Sequence, residues 1–206
     1  MMNEPWWIMN RQVGVGLLLA VVATSFYLFV LVNKLERRAA TDPLTGLLNR
    51  TSLVQAVGHA HGSPRQQNGQ VGLLVIDLDG FKDVNDSFGH AAGDEMLRRF
   101  AGELSRMSRR GDAVARLGGD EFVVFARSLL NEADALAIAE RIHAAIETIN
   151  VTIGLPVRVT ASIGICLYPE QRRPRMLDVG QALQRADRAM YAAKARGRSQ
   201  TVFAHA

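Results

Sequence analysis

Residues Arg116-Leu117-Gly118-Gly119-Asp120-Glu121-Phe122 set two glycines beside two carboxylates, between the apolar runs Ala113-Val114-Ala115 and Phe122-Val123-Val124-Phe125. The pattern predicts a β-hairpin over about 113–126 with Gly118-Gly119 at its tip, because a tight primed turn needs positive φ at both central positions. Asp120 and Glu121 then open the returning strand beside a backbone bare of side chains. Carboxylates placed there suit Mg²⁺, and glycine amides give phosphate or purine close access. A solvated turn would also satisfy Gly-Gly-Asp, so the heptapeptide alone leaves both readings open.

A second cluster weighs against the solvated turn. Gln70-Val71-Gly72-Leu73-Leu74-Val75-Ile76 is a continuous apolar run of strand length, suited to a buried central strand. It runs into Asp77-Leu78-Asp79-Gly80-Phe81-Lys82, followed by Asp83-Val84-Asn85-Asp86, Gly89-His90 and Gly93-Asp94. A carboxylate at the end of a buried strand is costly unless it is paired or bound to a cation. Lys82 suits an anionic substrate, and Asn85 and Asp94 offer acceptors for a base edge. With the glycine hairpin, these residues describe a metal and nucleotide site assembled from two strands.

The elements that must position these groups can be traced coarsely. Asn49 is placed to cap a helix running to Ala60. Strand 70–77 leads through a short helical turn into a helix near 90–109, with Met96, Leu97, Phe100, Leu104 and Met107 at helical spacing. Asn131 with Asp134 opens a further helix in capping-box style. Residues 156–167 read as a strand, 178–196 as a helix ending at Gly197, and 199–203 as a last short strand. The order β-α-β-β-α-β predicts an α+β fold, a ferredoxin-like palm whose antiparallel sheet is backed by helices on one face.

The chain resembles the GGDEF family of diguanylate cyclases. The resemblance rests on Asp42-Pro43-Leu44-Thr45-Gly46-Leu47-Leu48-Asn49-Arg50, the Asp77–Asp94 cluster and the Gly118–Phe122 hairpin. It continues through Thr160-Ala161-Ser162-Ile163-Gly164-Ile165 and the stretch from Ala186 to Arg198, which holds Tyr191, Lys194 and Gly197. It implies a catalytic domain over 42–206 that joins two GTP into cyclic di-GMP, with two domains meeting as a homodimer. It further implies Mg²⁺, with Mn²⁺ as a substitute, held by Asp77, the main-chain oxygen of Leu78, Asp120 and Glu121. Asp120 and Glu121 are the expected catalytic pair. Phe81, Lys82, Asn85, His90, Asp94, Gly118, Gly119, Lys194 and Arg198 are the expected substrate contacts. Arg109 and Asp112, in Arg109-Arg110-Gly111-Asp112, match the family's Arg-x-x-Asp product-inhibition site. Ser199 departs from the Asn that commonly follows the Gly-Arg pair. The rival expectations are a catalytically silent receptor for cyclic di-GMP and an interaction platform.

The first forty residues differ in character. Residues 13–32 carry no charge over twenty positions, about the length that crosses a ~30 Å hydrocarbon core as a helix. Lys34, Arg37 and Arg38 outnumber Arg11 on the other flank, and Trp6-Trp7 fit an interfacial belt. The expectation is a single-pass inner-membrane protein: residues 1–12 outside, 13–32 spanning, 33–41 a linker, and the catalytic domain in the cytoplasm. Gly16, Ala20 and Thr24 recur every four residues, a stripe that would let two membrane helices approach closely.

The net charge of +4 divides evenly. Residues 1–40 hold four basic and two acidic side chains, and residues 41–206 hold 20 and 18. No uniform basic field for a nucleic-acid duplex is expected from such mixed signs. Cys166 is the single cysteine, so no intramolecular disulfide can form, and its apolar strand makes it a packing residue.

Overall fold

β1 (Gln70–Asp79) is the middle strand, and everything near the carboxylates is arranged around it. The computed structural model describes residues 17–29, 32, 40–59, 69–169 and 176–204. Contacts divide the chain after Ala39, and each part is taken by itself.

In the first part, residues 17–29 form a helical stretch, α1, in which the Thr24 hydroxyl donates to the Ala20 carbonyl at 2.8 Å. The expected membrane anchor is corrected here. No helix among the described residues is long and apolar enough to cross a membrane. The expected placement as a single-pass protein of the inner membrane therefore does not stand. Trp6, Trp7, Arg11, Gly16 and the basic flank from Lys34 to Arg38 lie outside the described residues.

The second part orders its sheet β2-β3-β1-β4-β5. β2 (Ala113–Gly118) and β3 (Glu121–Leu129) form the hairpin, β4 is Thr160–Pro169 and β5 is Gln200–Phe203. The helices are α2 (Arg50–His59), α3 (Phe81–Phe88), α4 (His90–Met107), α5 (Glu132–Ile153) and α6 (Met176–Ala195). The expected β-α-β-β-α-β order is present, with two corrections. The sheet is mixed, because β5 runs parallel to β4, the pairing that a crossover helix such as α6 produces. Helices also cover both faces. Leu74, Ile76 and Leu78 share a core with Met96, Phe100, Ile142 and Ile146 of α4 and α5. Val71, Leu73 and Val75 share another with Leu53 of α2 and Val179, Leu183 and Met190 of α6. Alternate residues of β1 thus face opposite helix layers, which is why the strand reads as one unbroken apolar run.

Several boundaries shift, two of them for a visible reason. Gly118 pairs with Glu121, so the hairpin tip is Gly119-Asp120 instead of Gly118-Gly119. A register irregularity between Arg116 and Gly118 moves the turn on by one residue. β4 begins at Thr160 instead of Pro156. The Asn150 side chain captures both backbone groups of Val159, accepting from its N–H at 3.2 Å and donating to its carbonyl at 2.8 Å, so pairing starts one residue later. The Asn131 cap behaves as expected, its Oδ1 accepting from the Asp134 N–H at 3.2 Å.

Gly164 fixes how closely α6 approaches the sheet. A Cβ built there would lie 1.9 Å from the Ala186 carbonyl oxygen and 2.2 Å from the Met190 nitrogen, both backbone atoms of α6. The helix rests directly on β4, and Lys194 follows one turn beyond Met190. Cys166 is buried in the same layer.

Candidate active site

The strand register places the carboxylates. Asp77 of β1 lies opposite Glu121 of β3 on one side and Ser162 of β4 on the other. Side chains directly opposite one another share a sheet face, here the face covered by α6. From that helix the Lys194 ammonium reaches Asp77 Oδ2 at 2.6 Å. The Leu78 N–H donates to the Asp120 carbonyl at 3.3 Å, which holds the hairpin turn against the end of β1.

The charges at this sheet end do not cancel. Burial pushes the Asp77 carboxyl above its ordinary value of 3.8; the Lys194 hydrogen bond works against this, while Asp120 adds to it. Burial likewise raises Glu121, and Asp77, Asp187 and Asp120 each push in the same direction. Asp187, on α6, shares with Glu121, Arg50 and Gln184 a cavity of about 330 Å³. Asp77, Glu121, Asp187 and Asp120 thus gather near Lys194, with Arg50 in the adjoining cavity.

The hairpin turn is strapped from outside. Gly118 at φ 151° and Gly119 at φ 51° take backbone conformations that favour glycine. The Arg116 guanidinium donates twice to the Gly119 carbonyl, at 3.0 and 2.7 Å, and once to Asp42 Oδ1 at 3.0 Å. Asp42 also accepts from the Thr45 N–H at 2.9 Å and the Thr45 hydroxyl at 2.6 Å. Burial alone would raise the Asp42 carboxyl, but the Thr45 and Arg116 hydrogen bonds outweigh it and hold the group below its ordinary value. Neither residue was singled out for a role in the sequence. The Asp-to-Arg spacing of 74 residues gives no local sign of a contact.

Around the helix α3, the expected residues are gathered unevenly. Gly80 takes a left-handed conformation at φ 79° and turns the chain from β1 into α3, whose first amide is that of Phe81. First-turn amides have no partner within their own helix, so they are available to an anion. Asn85 sits tightly against α4: a Cβ on Gly93 would lie 2.0 Å from its Oδ1. Asp94 follows Gly93 and meets Arg98 at 3.7 Å, with both side chains about half exposed. Lys82 and His90 are exposed, and among the described residues no hydrogen bond or ion pair ties either to the carboxylates.

Asp112 spends both oxygens on backbone. Oδ2 accepts from the Arg109 N–H at 2.9 Å and Oδ1 from the Arg127 N–H at 3.0 Å. Arg109 and Asp112 line a cavity of about 350 Å³ between α4, β3 and α5, with Arg127 and Arg141 on the same wall and Leu104 and Ile142 behind. Arg141 was not expected. Its separation from Arg109 in sequence hides a proximity that packing of α5 against α4 creates.

Among the described residues, no three His, Cys, Asp or Glu side chains converge to hold a metal by themselves. The donor set still fits a hard divalent cation. It consists of carboxylate and carbonyl oxygens; burial first, and then the neighbouring carboxylates, raise Asp77 and Glu121. Mg²⁺ is usually held by one or two carboxylates plus substrate phosphates instead of by a closed protein cage.

This sheet end gathers carboxylates beside a bare glycine turn, with Lys194 reaching in from a helix. The sequence model of the diguanylate cyclase GGDEF domain matches residues 39–200. The chain belongs to that family. It is 39% identical over 165 residues to the diguanylate cyclase DgcP of Pseudomonas aeruginosa, covering 79% of this chain and 24% of DgcP. The solved GGDEF domain of TpbB (YfiN) from the same organism superposes with a TM-score of 0.69 at 39% identity, covering 80% of this chain and 94% of that one. A microbial GGDEF domain solved for its interaction with cyclic di-GMP gives 0.66 at 30% identity, covering 82% and 99%. This chain therefore spans about a quarter of the length of DgcP. Diguanylate cyclases of this family use divalent metal ions.

The Asp42 strap makes a pH-dependent prediction. A carboxyl held below its unfolded value contributes stability that is present above the ordinary carboxylate range and lost as pH falls through it. Asp42→Ala should lower stability by about 2 kcal/mol near neutral pH. The gap between parent and variant, read by denaturant unfolding, should close below about pH 4.

Proposed function

We propose that this chain condenses two GTP into cyclic di-GMP. The observation that carries the reading is Asp77 facing Glu121 across β1 and β3, with Lys194 on Asp77 and the glycine turn alongside. A GGDEF domain serving only as a receptor or a platform needs none of these crowded charges.

In-line phosphoryl transfer asks the protein for positioning and charge neutralisation. Each domain holds one GTP, and two domains meet as a homodimer with their glycine turns facing. The 3′-hydroxyl of one GTP attacks the α-phosphorus of the other. A P–O3′ bond forms, the bond to the β-phosphate bridging oxygen breaks, and pyrophosphate leaves. Repeating the step in the opposite sense closes the ring. Asp120 takes the proton of the attacking hydroxyl. Asn85 and Asp94 read guanine, since an acceptor can take its N1 and N2 hydrogens where adenine has no equal pair. The Phe81 amide, Lys82, Lys194 and Arg198 meet the phosphates, with His90 at the start of α4 and the Gly118-Gly119 backbone lining the same opening. Asp77, the Leu78 carbonyl, Asp120 and Glu121 hold Mg²⁺, or Mn²⁺ in its place. The metal, when bound, supplies charge neutralisation at the phosphoryl oxygens.

Arg109 carries feedback by product. Its side chain lines the cavity with Arg127 and Arg141, a cationic wall suited to a phosphodiester and the acceptor edge of guanine. Asp112 holds the turn in place through two backbone amides, so its contribution is to shape the cavity.

Two measurements check these roles. Asp120→Asn should lower cyclic di-GMP formation from GTP and Mg²⁺ by at least roughly 10²-fold, with an unchanged circular dichroism spectrum. Turnover near the parent's would remove Asp120 from the chemistry. Arg109→Ala should weaken binding of cyclic di-GMP by about tenfold or more and raise final yield, while initial rates at low conversion stay the same. Coincident inhibition curves would remove Arg109 from feedback.

A further inference from the structure

We infer that Asp79 is a positioning residue for the triphosphate-binding cations, and that it is not a metal ligand; the inference rests on the cyclase reading above. Asp77 and Asp79 lie two residues apart on a strand and so share a face, which makes Asp79 the natural extra ligand. Its contacts point elsewhere. Oδ1 accepts from the Ser162 hydroxyl at 2.9 Å, and Oδ2 accepts from the Thr160 hydroxyl at 3.0 Å and the Ser199 N–H at 3.1 Å. Arg198 Nε stands 3.8 Å from Oδ1. Asp79 is only 7% exposed, and its partners come from β4 and from the turn between α6 and β5.

That turn needs to be held. Arg198 at φ 63° and Ser199 at φ 49° are consecutive side-chain-bearing residues in the left-handed region, where such residues carry strain. The Ser199 N–H donates to the Asp79 carboxyl and so ties this turn to the end of β1. The same turn closes α6. The Arg198 N–H donates to the Ala193 carbonyl at 3.1 Å and the Gly197 N–H to the Lys194 carbonyl at 3.3 Å. Asp79 therefore pins, from the end of β1, the backbone that presents both Lys194 and Arg198. Asp77 supplies charge to the site, and Asp79 fixes where the opposing charge stands.

The test uses the full chain as parent, Asp77→Asn, Asp79→Asn, Arg198→Ala and the Asp79→Asn/Arg198→Ala double variant. Initial rates are measured against GTP and against Mg²⁺, and amide hydrogen exchange is followed across residues 196–204. Asp79→Asn should raise KM for GTP about tenfold while kcat falls less than about threefold, the pattern of lost substrate placement. The Mg²⁺ midpoint should stay at the parent's value, and exchange at Ser199 should accelerate without ligand. The double variant should raise KM by less than the product of the two single effects, since the two residues act in part through one turn. Thr160→Val, which removes one donor at constant shape, should move KM and Ser199 exchange in the same direction and serves if Asp79→Asn does not fold. A Mg²⁺ midpoint displaced as far as in Asp77→Asn would overturn the inference, as would unchanged exchange at Ser199 or KM increases that multiply in the double variant. Absence of cyclic di-GMP from the parent itself would be a failure of the cyclase reading, and the exchange data would still decide whether Asp79 holds the turn.

Discussion

Two like charges are forced together by strand register, and the rest of the catalytic part is arranged around that constraint. β1 and β3 pair so that Asp77 stands opposite Glu121, and neither side chain can leave without slipping the whole ladder. A slip of one residue would turn Leu74, Ile76 and Leu78 out of one core and Leu73 and Val75 out of the other. The apolar packing of β1 on both faces thus holds the carboxylates where their mutual repulsion opposes them. The fold stores unfavourable electrostatics at one end of its sheet, a state that a bound cation would relieve.

Relief in the absence of ligand comes from α6, and α6 is where it is because Gly164 has no side chain. Backbone of the helix lies where any Cβ would stand. That closeness brings Lys194 to Asp77, and the turn after the helix brings Arg198 near Asp79. On the opposite flank, Arg116 holds the Gly119 carbonyl and is itself held by Asp42. Carboxylates are therefore fixed by strands, cations by a helix and its closing turn, and the glycine turn by a strap from the segment before α2.

Much of this was readable from sequence for a definite reason. The unbroken apolar run before Asp77 and the Gly-Gly-Asp-Glu hairpin are local patterns, and local patterns survive in a linear reading. Contacts across long separations do not. Arg116 to Asp42 and Asp79 to Ser199 became visible only once strands and turns were in place. The hairpin tip moved by one residue because an irregularity near Leu117 is a register event, invisible to a count of glycines. The second helical face was implied by the unbroken apolar run of β1 but was masked by the ferredoxin-like element order. The membrane expectation came from the absence of charge over residues 13–32. Lack of charge measures the solubility of a segment in lipid and leaves the length of its helix undetermined.

The sharpest test of the buried, crowded charge at this sheet end is the thermal stability of Glu121→Gln in the absence of metal and nucleotide. A carboxyl raised above its unfolded value costs stability while charged, a cost present near neutral pH and relieved as pH falls through the folded value. Removing the charge at constant shape should therefore raise the melting temperature at neutral pH, with the advantage over the parent shrinking on acidification, while cyclic di-GMP synthesis is lost. A melting temperature below the parent's, with synthesis retained, would contradict the account.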